Sequence, residues 1–92
     1  MHDWTLISVS VAWEIGSAEF QLIKMGGECV SLSAERVIRL VVPHKNEWGP
    51  SVSINEVRGP TTVDGGMQKI EIEMQSGDLI EIIAERFHLP SP

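Results

Sequence analysis

Apolar and polar residues alternate with a period of two along most of the chain, and glycine-containing turns interrupt the alternation about every ten residues. Successive side chains of a strand point to opposite faces of a sheet, so this pattern predicts strands joined by tight turns. We therefore expect a mainly β protein: a single small antiparallel meander, sandwich or partly open barrel of about six to seven strands.

The first hairpin is predicted from residues 16–17, a Gly-Ser pair that suits a two-residue turn with glycine at its first central position. This register sets Trp13 opposite Phe20 and Val11 opposite Leu22. All four side chains then lie on one apolar face, which places Trp13 in the core.

A second hairpin is predicted at residues 25–27, a three-residue loop with Gly27 in the left-handed conformation. It sets Leu22 opposite Val30, and the valine-rich segment 36–42 then forms a further strand. A short helix from Ser33 is the competing interpretation of that segment. The predicted three-stranded meander comprises residues 4–15, 18–25 and 28–33.

The C-terminal third is predicted to hold a last hairpin, after a short edge strand over 51–58 and a loop over 59–66. A three-residue loop at 75–77 sets Ile72 opposite Ile80. The alternative is an α+β protein with a C-terminal helix from Asp78, because Asp78 and the glutamate three residues later resemble a capping box. The β-branched isoleucines favour the strand.

Length and composition limit the function classes. Ninety-two residues predict a single globular domain over 1–92, with frayed residues at 1–3 and 89–92. Thirteen acidic against seven basic residues give a net charge of −6, which disfavours nucleic acid as a partner. No apolar run is long enough to cross a membrane. A single cysteine and the absence of a targeting signal favour the cytoplasm.

The sequence shows no catalytic, metal or cofactor motif. His2, His44 and His88 are too far apart in sequence to form a metal-binding pair, so we expect no metal and no cofactor. Cys29 lies in a strand next to an acidic residue, so we expect a small apolar filler rather than a reactive thiol. These observations disfavour an enzyme.

The loop over 44–50 is the most informative segment for binding, because it combines ionisable groups with a tryptophan and continues into an edge strand. The competing interpretation is that Trp48 folds back and covers the end of the core. The candidate binding residues are His44, Lys45, Glu47, Trp48, Asn55 and Arg58.

Four glutamates, Glu71, Glu73, Glu81 and Glu85, share the polar face of the predicted last hairpin. They form either a solvated face that keeps the protein soluble or an electrostatic surface for a basic partner.

Three functions remain open from the sequence. The first is a non-enzymatic β-rich protein-interaction domain, with self-association as one form of that interaction and an exposed Trp4 as one possible dimer contact. The second is an inhibitor or immunity-type protein that covers a basic partner with its acidic face. The third is a small-ligand-binding domain that uses residues 44–58.

Overall fold

The chain folds into one antiparallel sheet of six strands, which confirms the prediction of a mainly β protein. The structure, a computed structural model, describes residues 1–43 and 53–90. The strand order across the sheet is β1-β2-β3-β6-β5-β4. The strands are β1 (Thr5–Ala12), β2 (Ser17–Ile23), β3 (Cys29–Val41), β4 (Ile54–Thr62), β5 (Gln68–Met74) and β6 (Leu79–His88).

The sheet curls until its two outermost strands, β1 and β4, meet at one corner. Thr5 and Ser53 form an isolated antiparallel bridge there. The amide of Ile54 donates to the carbonyl of Trp4 over 2.8 Å, and the amide of Asp3 donates to the carbonyl of Ile54 over 2.9 Å. The sheet is strongly bent and is not closed into a barrel by the described residues.

The concave face of the curled sheet holds the hydrophobic core. Every strand contributes, because alternate residues of each strand point inward. Among the described residues, Asp78 is the one buried charged side chain, and it lies in the turn before β6. The buried apolar side chains are Leu6, Ala18, Phe20, Leu22, Leu32, Ala34, Ile54, Ile70, Ile72, Met74, Ile80, Ile82 and Ala84.

The predicted first turn is wrong. The loop spans four residues, 13–16, and the strands close with Ala12 opposite Ser17, so Val9 rather than Trp13 lies opposite Phe20. Trp13 is 91% exposed, outside the core. Hairpins close with four-residue loops as well as with two-residue turns. Gly16 is the last residue of the observed loop and has a positive φ of 67°.

The prediction of separate strands over 28–33 and 36–42 is corrected to a single long strand, β3. Arg36 interrupts it with a positive φ of 55°, and the pairing with β6 shifts by one residue at Ile38. The helix suggested from Ser33 is wrong. A bulge absorbs one residue without ending a strand, so two apparent strands remain continuous.

Both other predicted hairpins are confirmed in register. Leu22 lies opposite Val30, and Gly27 has a φ of 91°. Ile72 lies opposite Ile80. The helical alternative from Asp78 is wrong, because β6 continues the sheet through the whole segment.

β4 is longer than predicted, since it runs to Thr62 through the segment expected to be a loop. A short 3₁₀ turn over Asp64–Gly66 then leads to β5. The predicted strand residues 51 and 52 lie outside the described residues.

The structure also describes the surroundings of Trp4, Cys29 and the first residues of the chain, for which the sequence made predictions. Trp4 is half-buried against the core, and Lys24 Nζ lies 5.4 Å from the centre of its ring. Cys29 is exposed, so its interpretation as an apolar filler is wrong. Two residues of the segment 1–3, expected to be frayed, bond to β4: the His2 ring donates to the carbonyl of Asn55 over 2.6 Å, and the amide of Asp3 donates to the carbonyl of Ile54. The described residues contain no helix long and apolar enough to cross a membrane.

Candidate protein-binding surface

An open apolar groove lies at one end of the sheet, where β3 extends past the first hairpin. Its volume is about 520 Å³. The turn between β1 and β2 forms one side, and the second half of β3 forms the other. We call this feature the groove; its lining residues are Val11, Trp13, Gly16, Val37, Ile38, Arg39, Leu40 and Val41.

The groove exists because β3 is longer than its neighbour β2. The last β2–β3 pair is Ala18 opposite Ala34, although β3 continues to Val41. Beyond that pair, the amide of Val37 donates to the carbonyl of Gly16 over 2.8 Å. Among the described residues, 39–41 pair with β6 on one side, and 38–41 have no strand partner on the β2 side.

The bulge in β3 directs an aliphatic side chain outward at the groove. Ile38 is the extra residue of the bulge, and it is 68% exposed. Arg39 is the single charged residue of the lining, and its Nε lies 3.5 Å from a carboxylate oxygen of Glu81. The groove is therefore apolar with one cation at its border.

A ridge of three residues, Trp13, Glu14 and Ile15, stands beside the groove in the β1–β2 turn. Trp13 and Ile15 are 91% and 72% exposed. Glu14 is exposed too, and the described residues place no cation within ion-pair distance of it. The ridge combines two large apolar side chains with one carboxylate.

Such a surface favours contact with another apolar surface. Singly scattered exposed apolar residues are normal, whereas a contiguous apolar patch bordered by polar groups marks an interaction site. Tryptophan is among the residues that contribute most to binding energy in interfaces. The ridge and the groove together form such a patch, and the ridge carries a tryptophan.

The candidate residues from the sequence are only partly described. His44, Lys45, Glu47 and Trp48 lie outside the described residues. Asn55 and Arg58 do come together, because both contact Glu73: the Asn55 amide donates over 3.2 Å, and Arg58 Nη1 lies 3.7 Å from the same carboxylate oxygen. Arg58 also pairs with Glu56 over 2.7 Å.

The four glutamates of the predicted acidic face lie on the outer surface among cations. Lys69 Nζ lies 3.9 Å from Glu71 and 4.0 Å from Glu81. Glu73 contacts Arg58, and Glu85 lies 3.5 Å from a nitrogen of Arg36. These cations neutralise much of the negative charge of the face.

A separate ionic cluster joins β3 to the end of β6. His88 Nε2 lies 2.8 Å from a Glu35 carboxylate oxygen, and Arg86 Nε lies 3.6 Å from it. The hydrogen bond from His88 and the nearby positive charge hold the pKa of Glu35 below its ordinary value. All three side chains are exposed, so solvent screens the attraction between their charges.

The lowered pKa of Glu35 predicts a small stability loss in acid. A carboxyl whose pKa is lower in the folded state contributes stability above its unfolded pKa and loses that contribution as the pH falls through its folded pKa. We expect thermal melting between pH 7 and pH 2 to show a slightly smaller acid destabilisation for Glu35→Gln than for the wild type. Asp64→Asn, at an exposed site outside the groove and without an ion pair among the described residues, is the control and should follow the wild type.

An identical acid profile for wild type and Glu35→Gln would contradict the pairing. Titration of Glu35 by NMR at or above the ordinary glutamate value would contradict it as well.

Metal chemistry gains no support from side-chain geometry. In the described ranges 1–43 and 53–90, no three His, Cys, Asp or Glu side chains are close enough to hold a metal ion.

Comparison with known proteins finds no matching family model, no similar curated protein and no similar solved structure.

The sequence interpretation missed Trp13, Ile15 and Ile38 as surface residues. One signal for Trp13 and Ile15 was present: the segment 13–16 ends in glycine and fits a four-residue loop as well as a strand end. For Ile38 no local signal exists, because the bulge depends on pairing with β6.

Proposed function

We propose that this chain is a non-enzymatic protein-interaction domain whose binding surface is the ridge with the adjacent groove. One observation carries the proposal: a tryptophan that is 91% exposed borders an apolar groove of about 520 Å³. Exposed apolar area of this kind is unfavourable in water and is stabilised when a partner covers it.

The backbone of β3 offers a second means of binding a partner. Residues 38–41 carry an edge without a strand partner on the groove side among the described residues. An extended segment from another chain can pair with such an edge, while apolar side chains fill the neighbouring groove. Main-chain hydrogen bonds and apolar contacts then act together.

The ion pairs of the acidic face favour this proposal over the inhibitor alternative. Recognition of a basic partner by charge requires carboxylates that are available for new pairs. Glu71, Glu73 and Glu81 each already lie within 4.0 Å of a cation of this chain. A basic partner would have to displace those cations.

A site-specific photo-crosslinker tests the proposal. A benzoyl-phenylalanine in place of Ile15 lies on the ridge, and the same residue in place of Met25 lies at the opposite turn. Met25 is 76% exposed, so the two positions match in size and exposure. We expect irradiation of cells that produce each variant to give discrete adducts with protein for position 15 and at most a faint background for position 25.

Mapping the crosslinked peptides separates the outcomes. Adducts to another protein chain, whether identical or different, support the proposal. Equal yields at both positions would overturn it. Adducts from position 15 to residues 44–52 of the same chain would overturn it too, since the chain itself would then cover the surface.

A further inference from the structure

We infer that the partner of this surface is a second copy of the chain, with the ridge of each copy seated in the groove of the other. This inference rests on the proposed function and names its partner. The contact would be isologous: the same surface patch on both copies, related by a two-fold axis.

The shape of the surface is self-complementary. A protruding ridge, Trp13 to Ile15, stands directly beside a concave groove that residues 37–41 line on the other side. A two-fold axis between a ridge and a groove brings each ridge against the partner's groove, so both apolar features are covered at once. A flat or purely concave patch would not offer this reciprocal fit.

The charges of the surface are self-complementary as well. The ridge carries the exposed carboxylate of Glu14, and the groove carries the guanidinium of Arg39, which is 58% exposed. Arg39 already lies 3.5 Å from Glu81, but a guanidinium has five N–H donors and can contact a second carboxylate as well. A two-fold axis that places ridge in groove brings Glu14 of each copy towards Arg39 of the other. Opposite charges at an interface favour the correct orientation and limit the repulsion between two chains of net charge −6.

The apolar area available is sufficient for a standard interface. Trp13 alone offers about 200 Å², because an aromatic side chain presents roughly 150–250 Å² and this one is almost fully exposed. Ile15, Ile38 and the partly exposed Val11 and Val41 together add an apolar area of about the same size, since a fully exposed Val or Ile side chain presents roughly 60–120 Å². A standard interface buries about 800 Å² per partner, a little over half of it apolar.

The other exposed parts of the sheet fit a second copy less well. At the opposite end, Met25 is the one large apolar side chain that is exposed among the described turn residues 24–28. The outer strand β4 carries Pro60, which lacks an amide hydrogen, and the charged residues Glu56 and Arg58. Proline and charged side chains on an edge strand discourage pairing with another strand.

Sedimentation velocity of the purified full chain from about 1 to 500 µM tests the inference. We expect the wild type to shift from monomer towards dimer with rising concentration. Ile38→Asp should raise the dissociation constant at least about tenfold, because association would bury a carboxylate in an apolar groove. Met25→Asp is the matched control, with the same charge change at an exposed apolar site outside the surface, and it should dimerise like the wild type.

Ile15→Asp provides a second disruptive variant on a turn that packs against nothing in the core, so the test does not depend on the folding of Ile38→Asp. A charge exchange tests the orientation: Glu14→Arg and Arg39→Glu should each weaken dimerisation, and the double variant should recover most of the wild-type affinity.

A wild type that stays monomeric up to about 500 µM would overturn the inference. Equal weakening by Met25→Asp and Ile38→Asp would overturn it too. Neither result touches the proposed function, which the crosslinking comparison between positions 15 and 25 tests separately.

Discussion

Phe20→Ala is expected to lower the free energy of unfolding by about 3–5 kcal/mol, the range for truncating a buried phenylalanine. Phe20 has no solvent exposure and lies at the centre of β2. Its neighbours across the sheet are Val9 on β1 and Leu32 on β3. Truncation leaves a cavity between three strands that cannot collapse without moving the sheet. Small domains have only about 5–15 kcal/mol of total stability, so much of the fold is at risk.

Urea unfolding at low micromolar concentration measures this loss, with Phe87→Ala as the matched control. Phe87 is partly exposed at the end of β6, so its truncation should cost clearly less. Trp13→Ala should change the free energy of unfolding by no more than about 0.5 kcal/mol, as is usual for surface sites. A loss at Trp13 as large as that at Phe20 would contradict the observed register and favour the two-residue turn.

Gly59→Ala is expected to lower the free energy of unfolding by at least about 2 kcal/mol. Gly59 has a φ of +105°, a conformation that side-chain-bearing residues adopt only with strain. A Cβ atom there would also lie 2.5 Å from the carbonyl oxygen of Lys69 on the neighbouring strand. Since that atom belongs to the backbone, β4 and β5 would have to separate.

Two other glycines separate the strain of the positive φ from the close contact with the backbone of the neighbouring strand. Gly65 has a φ of +80°, and an added Cβ atom would meet nothing within 4 Å, so Gly65→Ala should show the strain alone. Gly26 lacks both features, so Gly26→Ala should be close to neutral. Chemical denaturation should therefore rank the losses as Gly59 above Gly65 above Gly26. A loss at Gly59 no larger than that at Gly65 would contradict the close approach of the strands.

The fold class and two hairpin registers could be predicted because local chemistry determines them. At residues 25–27 and 75–77, a glycine that needs a positive φ coincides with alternating apolar positions on both sides. A shift by one residue would move the apolar side chains to the solvent face. Turn chemistry and burial therefore select the same register.

The first hairpin shows where such reasoning fails. Moving from the two-residue turn to the four-residue loop changes the partner of Val11 from Leu22 to Ala18, both of which are apolar and point the same way. The partner of each residue changes by four positions, an even number, so residues 8–11 keep their facing and the hydrophobic pattern cannot distinguish the two registers. Gly16 suits either turn.

The candidate surface depends on features with no local signature. The overhang of β3 beyond β2 and the bulge at Ile38 both follow from pairing with β6, about 45 residues away in sequence. Ile7 lies at a similar bulge in β1 and is exposed for the same reason. Strict alternation along each strand would place Ile7 and Ile38 with the inward residues, because alternation does not anticipate a bulge.

The crosslinking comparison between positions 15 and 25 is the decisive experiment on whether the exposed end of β3 and its neighbouring turn bind protein. We expect a protein adduct that depends on position 15 and disappears when Ile38→Asp is added to the same chain. Adducts that persist with Ile38→Asp, or that form equally well from position 25, would show that this surface is not the binding site.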